Sequence, residues 1–132
     1  MKLENQVCSL PLAQQLKELG VKQESLFAWA RNRQTALPEP RVLYRPQLID
    51  WNSDPITGAP AFQYDDLASA FTVAELGEMM KYANTVTSYW GNRDARWCWI
   101  AQTTYDEVVA DTEADARAKM LIYLLENNLI TL

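Results

Sequence analysis

The chain contains no histidine, the side chain that titrates nearest neutrality and serves most often as general base or zinc ligand. A Ser-His-Asp or Cys-His nucleophile cannot be assembled within it. Cysteine is almost as scarce. Cys8 and Cys98 stand far apart in the sequence and form neither a disulfide framework nor a C-x-x-C motif. Cys98, between Trp97 and Trp99, reads as a buried thiol acting as a small hydrophobe. There are four glycines, and none falls in a G-x-x-x-x-G-K-[ST], G-x-G-x-x-G or G-x-S-x-G arrangement, so a phosphate-cradling loop or nucleophile elbow has no foundation. The longest apolar run, Met120 to Leu125, is far short of the roughly 20 residues that span a bilayer. The opening Met-Lys-Leu-Glu-Asn-Gln lacks the apolar region of a signal peptide. A cytoplasmic protein without membrane contact, cofactor or metal is expected, and the balance leans against an enzyme.

What is present suffices for one domain covering 1–132. The 132 residues are 48% hydrophobic and 22% charged, and a chain this long buries roughly two-thirds of its unfolded surface. The net charge of −5 is unevenly spread. Residues 1–50 carry seven bases and five acids, whereas residues 101–132 carry two bases and six acids. The acidic remainder opposes binding to phosphate backbones, and nucleic acid is not an expected partner.

Ser9-Leu-Pro-Leu predicts a helix start, with Ser9 as N-cap and Pro11 in the first turn. Leu12, Leu16 and Leu19 supply one apolar stripe, and Gly20 is the stop. Glu24–Arg31 alternates as a strand, with Leu26, Ala28 and Ala30 on one face. Arg41–Arg45 alternates again, suggesting an antiparallel hairpin across the polar, proline-punctuated Asn32–Pro40. Pro46–Pro60 reads as loop. Thr72-Val-Ala-Glu75 matches a capping box, opening a helix whose stripe is Val73, Leu76, Met80 and Ala83. Within it, Gly77 is a weak point or a place of close packing. Asn84–Arg96 reads as a polar stretch, Trp97–Gln102 as the best strand, and Glu107–Ala110 as its short partner. Thr112 caps a final helix ending at Asn127 or Asn128. Ala114, Ala118, Leu121 and Leu125 form its main stripe, and Met120, Ile122, Tyr123 and Leu124 make its second half apolar almost all round. Such a helix lies mid-fold or meets a second subunit. The expected architecture is α+β: an antiparallel sheet of three to five strands with about three helices, the helix at about 112–127 being central.

Several constellations compete with plainer readings. Asp50-Trp-Asn52-Ser-Asp54 opens like a calcium loop, but Pro55 and Ala61 occupy the places of the required Gly and Glu, so a turn is expected. Asp106, Glu107, Asp111, Glu113 and Asp115 cluster near the final helix. Paired carboxylates bind magnesium or do acid–base work, yet Glu113 and Asp115 equally suit a helix N-terminus. Leu12–Trp29 has the outline of a helix-turn-helix with Lys17, Lys22, Arg31 and Arg33 nearby, but becomes strand-like where a recognition helix should run. Tyr82, Tyr89, Trp90, Trp97 and Trp99 concentrate aromatic surface. Trp97 and Trp99 read as core, and Tyr89-Trp90 as a partly exposed loop able to stack on a sugar, a base or a protein.

The run Val109-Ala-Asp-Thr-Glu-Ala-Asp-Ala-Arg-Ala-Lys-Met-Leu-Ile-Tyr-Leu-Leu-Glu-Asn-Asn-Leu-Ile, with Leu12–Trp29 and Ala70–Met79, resembles small uncharacterised bacteriophage and prophage-encoded proteins. Its strand–helix end is similar to phage α-β-α sandwich domains. The resemblance implies a fold and a mobile-element setting, and it carries over no active residue. The leading expectation is a non-enzymatic accessory protein that binds a protein partner and self-associates, as a homodimer, through its final helix. Tyr89, Trp90, Met120, Tyr123 and Leu124 are its candidate interaction surface. The alternatives are an acidic inhibitor of host defence or of a nuclease, a small carboxylate/metal-dependent enzyme, and a DNA-binding regulator.

Overall fold

A computed structural model describes residues 2–32, 38–42, 64–81, 86–104 and 106–132. In chain order the elements are α1 (Leu3–Gln6), α2 (Leu10–Glu18), β1 (Phe27–Asn32), β2 (Pro38–Val42), β3 (Tyr64–Ser69), α3 (Val73–Met79), β4 (Thr87–Arg93), β5 (Arg96–Gln102), β6 (Glu107–Ala110) and α4 (Glu113–Glu126). The class is α+β. The described strands divide into two three-stranded antiparallel sheets, ordered β2-β1-β3 and β4-β5-β6.

Helix α4 organises the packing and contacts α1, α2, α3, β4, β5 and β6. Its early positions are small: Ala114, Ala116 and Ala118 are fully buried, and the missing side chains let neighbouring elements approach closely. Its later positions are large. Met120, Leu121, Ile122 and Leu124 are buried, in one cluster with Leu16, Phe71, Leu76, Ala101 and Ala110. The helix is therefore wrapped within its own chain. Met120 and Leu124 are core residues and offer no surface to a second copy, while Tyr123 is half-buried against the same cluster.

Three helix starts converge and are tied together. Thr112 Oγ1 accepts from the Asp115 N–H at 3.1 Å, and Asp115 Oδ1 accepts from the Ser9 N–H at 2.6 Å. Ser9 holds the N-cap position of α2, but its side chain makes no capping bond. Val7 bridges Thr72, and the Cys8 N–H donates to the Phe71 carbonyl at 2.9 Å. Gly20 ends α2 with φ +89°, the left-handed stop for which glycine is suited.

The expected strand at 24–31 begins later, at Phe27. Ser25 is fully buried, and its single hydroxyl proton is shared between the Ala70 carbonyl at 3.0 Å and Glu75 Oε1 at 2.9 Å. The chain turns there, and Leu26 is left 58% exposed, off the face shared by the buried Ala28 and Ala30. The hairpin partner lies at 38–42: Arg41 and Val42 belong to the expected strand, the start lies earlier, within the stretch read as loop, and residues 43–45 lie outside the described residues. Pro38 and Pro40 are admitted because β2 is an edge strand, where a missing N–H need break no ladder bond. Strand β3 closes the other side of β1, despite its paired aspartates Asp65 and Asp66. Inside α3, Gly77 is a place of close packing. A side chain there would collide with the Arg117 guanidinium, which donates to the Val73 carbonyl at 3.3 Å.

The capping box at Thr72 is complete: its hydroxyl accepts from the Glu75 N–H at 3.2 Å, and Glu75 Oε1 accepts from the Thr72 N–H at 2.9 Å. The same carboxylate holds Ser25 and the Leu26 N–H at 3.2 Å, joining α3 to the entry of β1. Glu75→Ala is expected to cost about 2–3 kcal/mol, since charge-assisted bonds are lost at a buried hydroxyl. Thr72→Ala, which removes only the cap, is expected to cost about 1 kcal/mol. Urea denaturation of the two variants checks the ranking.

Candidate functional site

The stretch 84–96 read as polar loop contains β4 and the turn of a tight hairpin. Asp94 and Ala95 connect β4 to β5 with φ of 53° and 62°, the two consecutive left-handed residues of a type I′ turn. This turn sets the register Trp90↔Trp99 and Asn92↔Trp97. Opposed residues share a sheet face, so the three tryptophans lie together with Ser88, Ala101, Val108 and Ala110. Toward α4 this face is core, where Ala101 and Ala110 are buried. Toward the turn it opens to solvent, where Trp90 and Trp97 are 52% and 61% exposed. The expectation that Trp97 is core is thus corrected. Its strand face does reach the core, but only nearer α4, and Trp99 is half-buried at the boundary.

The indoles brace one another. Trp90 stacks on Trp97 with ring centroids 6.4 Å apart and planes at 16°, and meets Trp99 edge-on at 5.8 Å and 63°. Such arrangements satisfy the ring quadrupoles and hold exposed rings in place. A cleft of about 640 Å³ opens beside Trp90 and Trp99. Its other walls are Asn5 and Gln6 of α1, the start of α3 at Thr72–Ala74, and the entry to α4 at Asp111–Glu113.

Among the described residues, two carboxylates and no lysine or arginine line this cleft. Glu113 Oε1 accepts from Ser88 Oγ at 2.8 Å and lies 3.4 Å from an Arg117 guanidinium nitrogen. Arg117 Nε donates to the same Ser88 oxygen at 3.0 Å. Glu113 is thereby fixed, while Asp111, ion-paired with Arg96, remains largely exposed.

Tyr89 belongs to the opposite face, so the sequence neighbours Tyr89 and Trp90 do not form one surface. The Tyr89 hydroxyl accepts from Arg93 Nη2 at 2.7 Å and donates to Gln102 Oε1 at 3.1 Å. Arg93 also donates to both oxygens of Glu107, at 2.8 and 3.0 Å. That pairing holds the Glu107 carboxyl below its ordinary range and raises the Arg93 guanidinium. Gly91 leaves room for this arrangement, as a Cβ there would stand 2.9 Å from Ile100 Cδ1 and 3.0 Å from the Tyr89 ring. A depression of about 850 Å³ over this region is lined by the mutually paired Arg93–Glu107 and Arg96–Asp111.

The clustered acids near α4 have separate partners: Glu107 has Arg93, Asp111 has Arg96, Glu113 has Ser88, and Asp115 has the Ser9 N–H. Among the described residues no group of three or more His, Cys, Asp or Glu could hold a metal ion. The calcium-like Asp50–Asp54, Tyr82 and Arg33 lie outside the described residues. Residues 19–26 after α2 contain no helix, and β1 follows, so a recognition helix is not formed there. Among the described residues no helix is long and apolar enough to cross a membrane. Both cysteines are free and buried. Burial pushes the Cys8 thiol up to about 12, with the Asp115 and Glu75 carboxylates adding to the effect. Comparisons with protein-family models, curated proteins and solved structures find no match to this chain.

Ala95 is an L-residue in the left-handed region, which costs roughly 1–2 kcal/mol. Ala95→Gly is expected to raise stability by up to about 1 kcal/mol, read as a higher urea midpoint, with the tryptophan register unchanged in near-UV circular dichroism. The raised Cys8 value has a defined sign. Folding favours the neutral thiol, so this contribution is complete below the ordinary value of 9.0 and is lost as pH rises toward about 12. Urea midpoints of the wild type should therefore fall more steeply over that window than those of Cys8→Ala.

Proposed function

We propose that the chain is a non-enzymatic protein-interaction protein that engages its partner through the tryptophan face. One observation carries this reading: Trp90 and Trp97 are stacked, braced and still more than half exposed. Exposed apolar surface of this kind marks interaction sites, and tryptophan is enriched among the residues that dominate binding energy. Because the rings are held by each other and by β5, little side-chain freedom remains to be lost on binding. The separately partnered acids and absent histidine favour recognition over chemistry. The phage or mobile-element setting and the cytoplasmic location belong to the same proposal, supported by the resemblance of the strand–helix end. Self-association through α4 is not part of it, since that helix is enclosed by its own chain.

The reading is tested by capture from an extract of the native host with wild type, Trp90→Ala, Trp97→Ala and the double variant. A protein retained by wild type and lost by the double variant, with the thermal midpoint of the variant close to wild type, is the expected result. Equal retention by a folded double variant overturns the proposal.

A further inference from the structure

We infer that the tryptophan-walled cleft receives a cationic side chain, an arginine or lysine, presented by a basic segment of the protein partner. This inference rests on the protein-binding reading above and names the chemistry of its partner.

Three independent features converge on a cation. The first is the aromatic wall. Trp90 and Trp99 border the cleft, and the indole face is the strongest of the aromatic faces in attracting an ammonium or guanidinium group. The second is the charge of the lining. Asp111 and Glu113 contribute two carboxylates, and their partners Arg96 and Arg117 are not among the described residues that line the cleft. Asp111 is bound to Arg96, but their side chains are 78% and 70% exposed, and an exposed ion pair exchanges partners at little cost. Glu113 is different: its side chain is 28% exposed, and Ser88 and Arg117 fix its direction. One carboxylate is thus free to reorganise around a guest while the other is a preset acceptor. The third is the field of the whole molecule. A net charge of −5 draws basic partners toward the surface and repels acidic ones.

Size agrees with this occupant. About 640 Å³ falls within the range of clefts that hold a small ligand, and accommodates one long side chain with the backbone on either side of it. A nucleic acid would also stack on the indoles, but its phosphates would meet two carboxylates. A neutral saccharide would stack as well, without drawing on the field.

The test follows the indole Nε1–H resonances of Trp90 and Trp99 by nuclear magnetic resonance, assigned with Trp90→Phe and Trp99→Phe. Tri-arginine amide, tri-glutamate and maltotriose are titrated separately. Tri-arginine is expected to shift both resonances saturably and more weakly as salt is raised, with no shift from the other two probes. In the variant combining Asp111→Asn and Glu113→Gln, tri-arginine affinity is expected to fall about tenfold. The Gln at position 113 keeps an acceptor for Ser88, and an unchanged thermal midpoint confirms the fold. No saturable shift with tri-arginine, binding by maltotriose in its place, or full affinity in the carboxylate variant overturns the inference. Host-protein capture that still depends on Trp90 and Trp97 would then leave the protein-binding reading standing. Capture indifferent to those tryptophans removes both.

Discussion

The burial of α4 on nearly every side is the constraint from which the remaining arrangement follows. A helix that is small along its first half and large along its second requires two kinds of neighbour. Ala114, Ala116 and Ala118 are all fully buried and admit close approach. Met120, Leu121, Ile122 and Leu124 instead fill the volume between α2, α3 and the β4-β5-β6 sheet. The polar fastenings lie at the helix start. Asp115 receives the Ser9 N–H, and Glu113 receives Ser88, so the same turn that begins the helix also fixes the entry to α2 and the position of β4. The cleft beside the tryptophans is the space left where these elements meet.

The tryptophan face shows how one sheet surface serves two purposes. Ser88, Ala101, Val108 and Ala110 face α4, and their small or slender side chains suit that contact. Farther along the same face, Trp90 packs against Trp97 and Trp99, and Trp90 and Trp97 remain more than half exposed. The opposite face is tied off by Arg93, Glu107, Tyr89 and Gln102. A rigid support therefore backs the exposed rings, and binding energy need not be spent on ordering them.

Features set by a few neighbouring residues were legible in the sequence. The Thr72–Glu75 capping box, the Thr112 cap, the Gly20 stop and the central helix depend on local spacing, and each stands where its pattern indicates. Features set by partners distant in sequence were not. Strand β2 hides behind Pro38 and Pro40, because edge position, invisible locally, is what admits them. Strand β4 hides because its turn uses Asp94 and Ala95 where glycine would have announced it. Alternation correctly divided Trp97 and Trp99 from Cys98 and Ile100, but alternation does not say where along a face the covering helix stops. The apolar surround of Met120 and Leu124 was equally visible, and only the packed chain distinguishes enclosure from an interface.

The place of α4 in the chain has a consequence for how the molecule comes into being. It follows every other described element, so a ribosome delivers both sheets and the three shorter helices before the helix that covers them. Until α4 emerges, Leu16, Phe71, Leu76 and Ala101 lack the partner that removes them from water. Chains are made at roughly 5–20 residues per second, which leaves that apolar surface uncovered for a time long compared with hydrophobic collapse. The Ser9–Asp115 bond joins residues 106 positions apart and forms only once the first turn of α4 has been made. Burial of the surfaces that α4 covers therefore waits until that helix has been made.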